Sequence, residues 1–241
     1  MTTSNTSAQR IDNDIIEVLR DRAAGYRMFS RLFLKPLAEK DIDLLESMQL
    51  IDRALELEGT GLLAEGFNDM GRGVRKRNTG TRQILATDFT MCFDGIDTVD
   101  EMVAVPYASI FLGEKALFNQ EPRNEVYKLF RAEGITLKST VRLPEDHLSF
   151  ELEFLAVLSD RSEAACTGGD IVEAIRNLEL ARDFIQNHIL SWINLFSERA
   201  NKILKTRFYQ GVIKATRGYL TLDLETIDAL LESLSDERVV A

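Results

Sequence analysis

The sequence is poor in the residues that most catalytic and scaffold chemistries need. Only two cysteines, Cys92 and Cys166, occur in 241 residues. That excludes a disulfide framework and a thiolate-built zinc cluster. Only two histidines, His147 and His188, are present, fewer imidazoles than a metal-dependent helical hydrolase generally uses. The longest largely apolar stretch, residues 102–112, is interrupted by Pro106, whereas a membrane-spanning helix needs about 20 apolar residues. Positive charge is in deficit, with 29 Lys+Arg against 39 Asp+Glu and a net charge of -10. This argues against a nucleic-acid binder, whose phosphate contacts need clustered cations, and favours a basic partner. There is no Gly-rich phosphate loop ending in Lys-Ser/Thr, no strand–GxGxxG–helix unit and no GxSxG elbow. Residues 1–9 are polar and uncharged and lack the apolar core of an export signal. Residues 1–10 are therefore expected to be a disordered lead-in, and residues 11–241 a cytoplasmic domain with reduced thiols.

Proline occurs four times, at Pro36, Pro106, Pro122 and Pro144, and between these points the apolar residues recur at helical spacing. The pattern predicts an all-α chain of eight to eleven helices in a single compact bundle. A first helix is expected over residues 11–34, closed by Lys35-Pro36. Others are expected over 41–57, 62–70 and 81–93, with a glycine-bearing hinge at 71–80 that permits either a monomer or a domain-swapped dimer. A helix carrying Leu117, Val126, Leu129 and Phe130 follows Gly113, and residues 135–143 form a connector with room for a short extended segment. Pro144 suits the first position of the next helix, with Glu145 and Asp146 at the positive end of its dipole. Gly168-Gly169-Asp170 reads as a turn and N-cap. Two helices over 171–196, then one each over 200–220 and 224–234, complete the expectation.

Charge is unevenly spread. Between Arg142 and Glu163 stand six acids, Glu145, Asp146, Glu151, Glu153, Asp160 and Glu163, against two arginines. Asp146, His147 and Glu151 can be read as metal ligands; the plainer reading has first-turn acids steadying a helix and His147 pairing Glu151 one turn on. Phe89, Phe93 and Phe111 lie at helical spacing that suits a core as well as a groove. Tyr107 and Ser109 adjoin Pro106 in irregular chain, where binding residues tend to sit. The cations Arg72, Arg75, Lys76, Arg77 and Arg82 read as a solvated run or as a docking point for an acidic surface. The acids from Asp223 to Glu237 read as a solvated helix face, and Trp192 with His188 as packing residues.

The stretch Arg142-Leu143-Pro144-Glu145-Asp146-His147-Leu148 resembles the Pro-x-Asp-His-Leu/Ile signature of the TorD/DmsD family of redox-enzyme maturation chaperones. Other stretches agree in order. Residues 23–36 resemble that family's N-terminal helix, and Asp88-Phe89-Thr90-Met91-Cys92-Phe93 its aromatic-x-x-Leu-Phe motif. Pro106-Tyr107-Ala108-Ser109-Ile110-Phe111 resembles the segment after it, and His188-Ile189-Leu190-Ser191-Trp192 the late His-x-x-x-Trp helix. Leu143 and Arg142 stand where the family usually carries Glu, and Cys92 where it carries Leu. The resemblance spans residues 20–220. It implies a non-enzymatic chaperone without a cofactor of its own. Its partners would be the twin-arginine leader peptide and the apoenzyme of a molybdenum-containing reductase of the dimethyl-sulfoxide or trimethylamine-oxide type. The chaperone would hold back export until the client's cofactor is inserted. Carried onto this chain, the resemblance implies a leader site of Pro144, Asp146, His147, Leu148, Tyr107 and Ser109, with Phe89, Phe93 and Phe111 lining its apolar part. Within the family, the alternative is a nitrate-reductase-type assembly chaperone acting on the mature subunit. From another class, it is a helical metal-dependent hydrolase.

Overall fold

Helical periodicity with few breakers produces helices almost throughout. The computed structural model describes residues 13–57, 59–75, 78–113, 121–138 and 142–240. These form α1 (Asn13–Leu34), α2 (Glu39–Ser47), α3 (Leu50–Glu56), α4 (Leu62–Arg75), α5 (Thr81–Phe93), α6 (Ala108–Leu112), α7 (Glu121–Ala132), α8 (Leu148–Gly168), α9 (Ile171–Phe184), α10 (Ile193–Ile203) and α11 (Arg207–Val240), with a π-helical turn at Ile185–Ile189. No strand occurs among the described residues. The only bridges there are isolated, Val99 with Met102 and Tyr107 with His147. The expected lead-in over residues 1–10, Leu117, Lys76, Arg77 and the Glu237 side chain lie outside the described positions.

The all-α expectation holds, while several boundaries move for identifiable reasons. The helix expected over 41–57 is two, because Gln49 turns left-handed at φ 51° between α2 and α3. The expected hinge is helical through Arg75, because Gly71 and Gly73 are packing surfaces. A Cβ on Gly71 would lie 2.7 Å from Ile51, and one on Gly73 would lie 2.7 Å from Phe208. The two helices expected after residue 200 are divided differently. Ile203 ends α10, and one 34-residue helix follows, about 50 Å long. Residues 135–138 are irregular. Pro144 does not open α8. It starts a turn, and His147 is the N-cap. Asp170 does cap α9, accepting from Glu173 N at 3.1 Å.

The core is organised around α11, which packs on α4, α9 and α1, while α1 lies along α8 and α8 on α9. Contact between α4 and α11 is backbone to backbone. A Cβ on Gly66 would fall 2.3 Å from Ala215 N, and one on Gly218 would fall 2.2 Å from Leu63 N. Each glycine therefore leaves the space that the other helix occupies. The α1–α11 contact is sealed by a buried ion pair. Arg22 Nε and Nη2 donate to Asp223 at 2.6 and 2.9 Å, and the Tyr26 hydroxyl donates to the same carboxylate. Asp223, expected on a solvated face, is thus an interior residue. Its neighbours make its burial tolerable: a carboxylate there needs a paired cation and filled lone pairs.

Three substitutions test this frame by thermal or urea denaturation. Gly218→Ala should destabilise by about 3 kcal/mol through overpacking, while Gly168→Ala, with open space around it, should not destabilise. Asp223→Ala should cost about 3–5 kcal/mol, because it strands a buried guanidinium.

Candidate functional site

Two distant stretches of chain are sewn together at the start of α8. The turn at residues 144–147 meets residues 106–109 in antiparallel fashion. Ala108 N donates to Asp146 O at 3.1 Å, and Leu148 N donates to Pro106 O at 2.9 Å. The Asp146 side chain completes the seam. Its Oδ2 accepts from Ser109 N at 2.9 Å and from the Ser109 hydroxyl. The Tyr107 ring stands edge-on to the His147 imidazole with centroids 4.7 Å apart. The structure therefore brings together Asp146, His147, Tyr107, Ser109, Leu148 and Pro144. All but Pro144 are buried.

Phe111 adjoins this group from the far end of α6. It stacks on Trp192 at 5.6 Å, and the Arg199 guanidinium covers its ring at 4.7 Å. Phe89 and Phe93 are elsewhere. Both are buried in the main core, where Phe89 packs on Tyr209 at 5.8 Å and Phe93 on Phe33 at 5.4 Å. As placed, they face the interior rather than a groove. The neighbouring Asp88 has a structural duty, accepting from Lys205 N and Thr206 N at 2.9 Å just before α11 begins.

His147 does not pair with Glu151. Its Nδ1 accepts from Ser149 N at 3.1 Å and so caps α8. An accepting Nδ1 puts the proton on Nε2. Burial pushes the imidazole pKa down to about 3, so the ring is neutral at physiological pH and is no proton switch there. Burial also pushes the Tyr107 phenol up to about 12, with Asp146 adding to the effect.

The acids of the 142–163 stretch separate into two classes. Glu145 pairs with Arg123 at 2.7 Å, Glu163 with Arg20 at 2.6 Å, and Glu153 and Asp160 share Arg27. Asp146 and Glu151 have no ion-pair partner among the described residues. Both are buried; Asp146 Oδ1 and both Glu151 carboxyl oxygens find no hydrogen-bond partner, nor does Trp192 Nε1. Trp192 lies close to the Glu151 carboxyl without forming a well-aligned bond. Burial raises the Asp146 carboxyl, and the Ser109 bonds oppose that rise. Burial raises Glu151 well above the ordinary carboxylate range, and the nearby Asp146 adds to this. Glu151 is the residue whose part the sequence understated, although a signal was present. It shares the buried face of α8 with Leu148, Leu152 and Leu155, where an acid is out of pattern.

Beyond Pro144 an open cavity of about 510 Å³ is edged by Arg123, Arg131, Lys138 and Arg142, with Tyr127 on its wall. Four cations against one carboxylate make it anion-favouring. Among the described residues no three His, Cys, Asp or Glu side chains are placed to hold a metal ion, so Asp146, His147 and Glu151 do not form a hydrolase's ligand set.

Because burial holds the Glu151 carboxyl pKa above its unfolded value, its contribution to stability is complete below the unfolded pKa. That contribution is lost as pH rises toward the folded value. Glu151→Gln should therefore match the wild type near pH 4.5 and be more stable by about 1–2 kcal/mol at pH 8. Urea denaturation at the two pH values measures the difference.

The site and most of the helices around it fall within residues 55–198, which match the family described as nitrate reductase delta subunit. The chain is also similar to proteins named "Chaperone protein TorD". That of Vibrio parahaemolyticus is 31% identical over 209 residues, covering 84% of this chain and 92% of the relative. That of Vibrio cholerae is 29% identical over 219 residues, covering 88% and 94%. That of Aliivibrio salmonicida is 26% identical over 215 residues, covering 88% and 97%. The matches thus run nearly the full length of these relatives and include both halves of the seam. The chain belongs to the TorD/DmsD family of redox-enzyme maturation chaperones and is a chaperone rather than an enzyme.

Proposed function

We propose that the chaperone binds the twin-arginine signal peptide of a molybdenum-containing reductase of the dimethyl-sulfoxide or trimethylamine-oxide type, in the cytoplasm, and delays export until the cofactor is inserted. The observation that carries this reading is the seam between residues 106–109 and 144–148, where a buried acid with no ion-pair partner among the described residues sits beside aromatic rings. A twin-arginine leader offers two guanidinium groups followed by an apolar run. Asp146 accepts a guanidinium, a charge-assisted contact that strengthens as water is excluded. Tyr107 and Phe111 receive the apolar part as aromatic anchors. The remaining imidazole N–H of His147 orients the peptide backbone. The cations around the cavity beyond Pro144 repel the leader's arginines, which directs them to the Ser109 side of the turn. A second reading draws support from the family match over residues 55–198. In it the chain acts on the mature subunit, as a nitrate-reductase-type assembly chaperone, and needs no exported leader.

Calorimetric titration of the purified chain with molybdoreductase leaders, each beside its twin-lysine version, tests the first reading. Saturable binding weakened about tenfold by the lysine swap is expected, since a forked two-bond contact becomes a point charge. Asp146→Asn should weaken the arginine leader more than the lysine leader. Equal weakening of both would sink the guanidinium contact. Absence of leader binding together with capture of the leaderless apoenzyme would favour the second reading.

A further inference from the structure

The seam that presents Asp146 also hides it. Asp146 and Glu151 are the two acids of their stretch without an ion-pair partner among the described residues, although Arg123 bears on Asp146; Ser109 covers Asp146, and Glu151 lies beside Trp192, on which Phe111 stacks. The segment 106–112 packs on the main core through Ala108 and Phe111. Its ties to the turn are the two backbone bonds, the Ser109 bonds to Asp146 and the Tyr107–His147 contact. Its Tyr107 and Ile110, with the preceding Val105, form a small cluster separate from the main core. The chain leading into it is irregular, with Asp100 and Glu101 both at positive φ. Below it, Asp146 Oδ1, both Glu151 oxygens and Trp192 Nε1 are buried with unfilled hydrogen-bonding capacity. Orphaned buried polar atoms are costly, and here they gather around one point.

We infer that residues 106–112 form a latch over a closed guanidinium site built from Asp146 and Glu151, and that an incoming arginine displaces Ser109 and pairs with both carboxylates. This rests on the leader-binding reading and adds to it a second acceptor and an opening step. While the latch is closed, the Ser109 N–H and O–H stand in for the guanidinium's N–H groups on Asp146 Oδ2. Opening separates Phe111 from Trp192 and uncovers Glu151. The groups that bear on Glu151 are the Asp146 carboxyl, from the preceding turn, and the Trp192 indole, from the start of α10. No cation acts on it. Burial and the adjacent Asp146 carboxyl therefore favour its protonated form when covered. On arginine binding its O–H bond breaks, the proton passes to the buffer, and the carboxylate that remains pairs with the guanidinium.

Trp192 is the sole tryptophan, so it reports the latch without a label. A tryptophan-free twin-arginine leader is titrated into the wild type at pH 7. Trp192 emission is followed, and calorimetry is run in two buffers of different ionisation heat. The inference expects a red shift on saturation and release of about one proton per peptide. Ser109→Ala should bind the leader several-fold more tightly, because less of the latch must be broken. Glu151→Gln should bind it roughly tenfold more weakly, with stability equal to or above that of the wild type. A merely structural Glu151 would not produce that combination. Leader binding by the wild type with unshifted Trp192 emission and no proton release would overturn the latch while leaving leader recognition intact. Failure of the wild type to bind any leader would overturn both.

Discussion

The backbone contact between α4 and α11 is the constraint on which the rest of the structure depends. With a Cβ at Gly66 or Gly218 placed within 2.3 Å of the opposite main chain, the two helices have one available separation and little freedom to slide. That rigid pair sets the position of α11, and α11 sets α1 through Arg22 and Asp223. α1 in turn lies along α8, where the Ser30 and Ser149 hydroxyls bond at 3.0 Å. The site stands at the first turn of α8, so its location follows from a chain of close contacts that begins on the far side of the bundle.

Charge is handled differently in the frame and at the site. In the frame the buried carboxylate, Asp223, is given a bidentate arginine and a tyrosine hydroxyl. The half-buried acids along α8 are matched by Arg20, which pairs with Glu163, and by Arg27, which Glu153 and Asp160 share. At the seam the same chain buries Asp146 and Glu151 with no ion-pair partner among the described residues and leaves several of their lone pairs empty. Leaving buried polar groups unpaired is the expensive choice. Folding alone does not call for it, because an apolar residue at position 151 would pack on the face shared by Leu148, Leu152 and Leu155. The cost fits the proposed binding of a cationic group from outside, which agrees with the protein's acidic balance.

The aromatic residues show how far pattern and position can diverge. Phe89, Phe93 and Phe111 look alike in sequence, each at helical spacing near a motif. Phe89 and Phe93 close the core against Tyr209, Phe33 and Phe196. Phe111, on the short α6, sits between Arg199 and Trp192 at the edge of the seam. The π-helical turn at Ile185–Ile189 comes just before Trp192, whose buried indole lies beside Phe111. Nothing in the spacing of His188 and Trp192 announces that turn.

The sequence alone determined the helical class and the capping role of Asp170, and it singled out residues 144–148. These features rest on local properties: the period of apolar residues, the scarcity of proline and the chemistry of short turns. Only the tertiary structure decided that the 71–75 glycines continue a helix, because their role is to admit Ile51 and Phe208 from elsewhere in the chain. Only it decided that Asp223 is interior, that His147 caps rather than pairs, and that Ser109 closes on Asp146, 37 positions further along the chain. Contacts of that kind depend on which surfaces meet after helices pack. Helix periodicity says which face is buried but not what is buried against it.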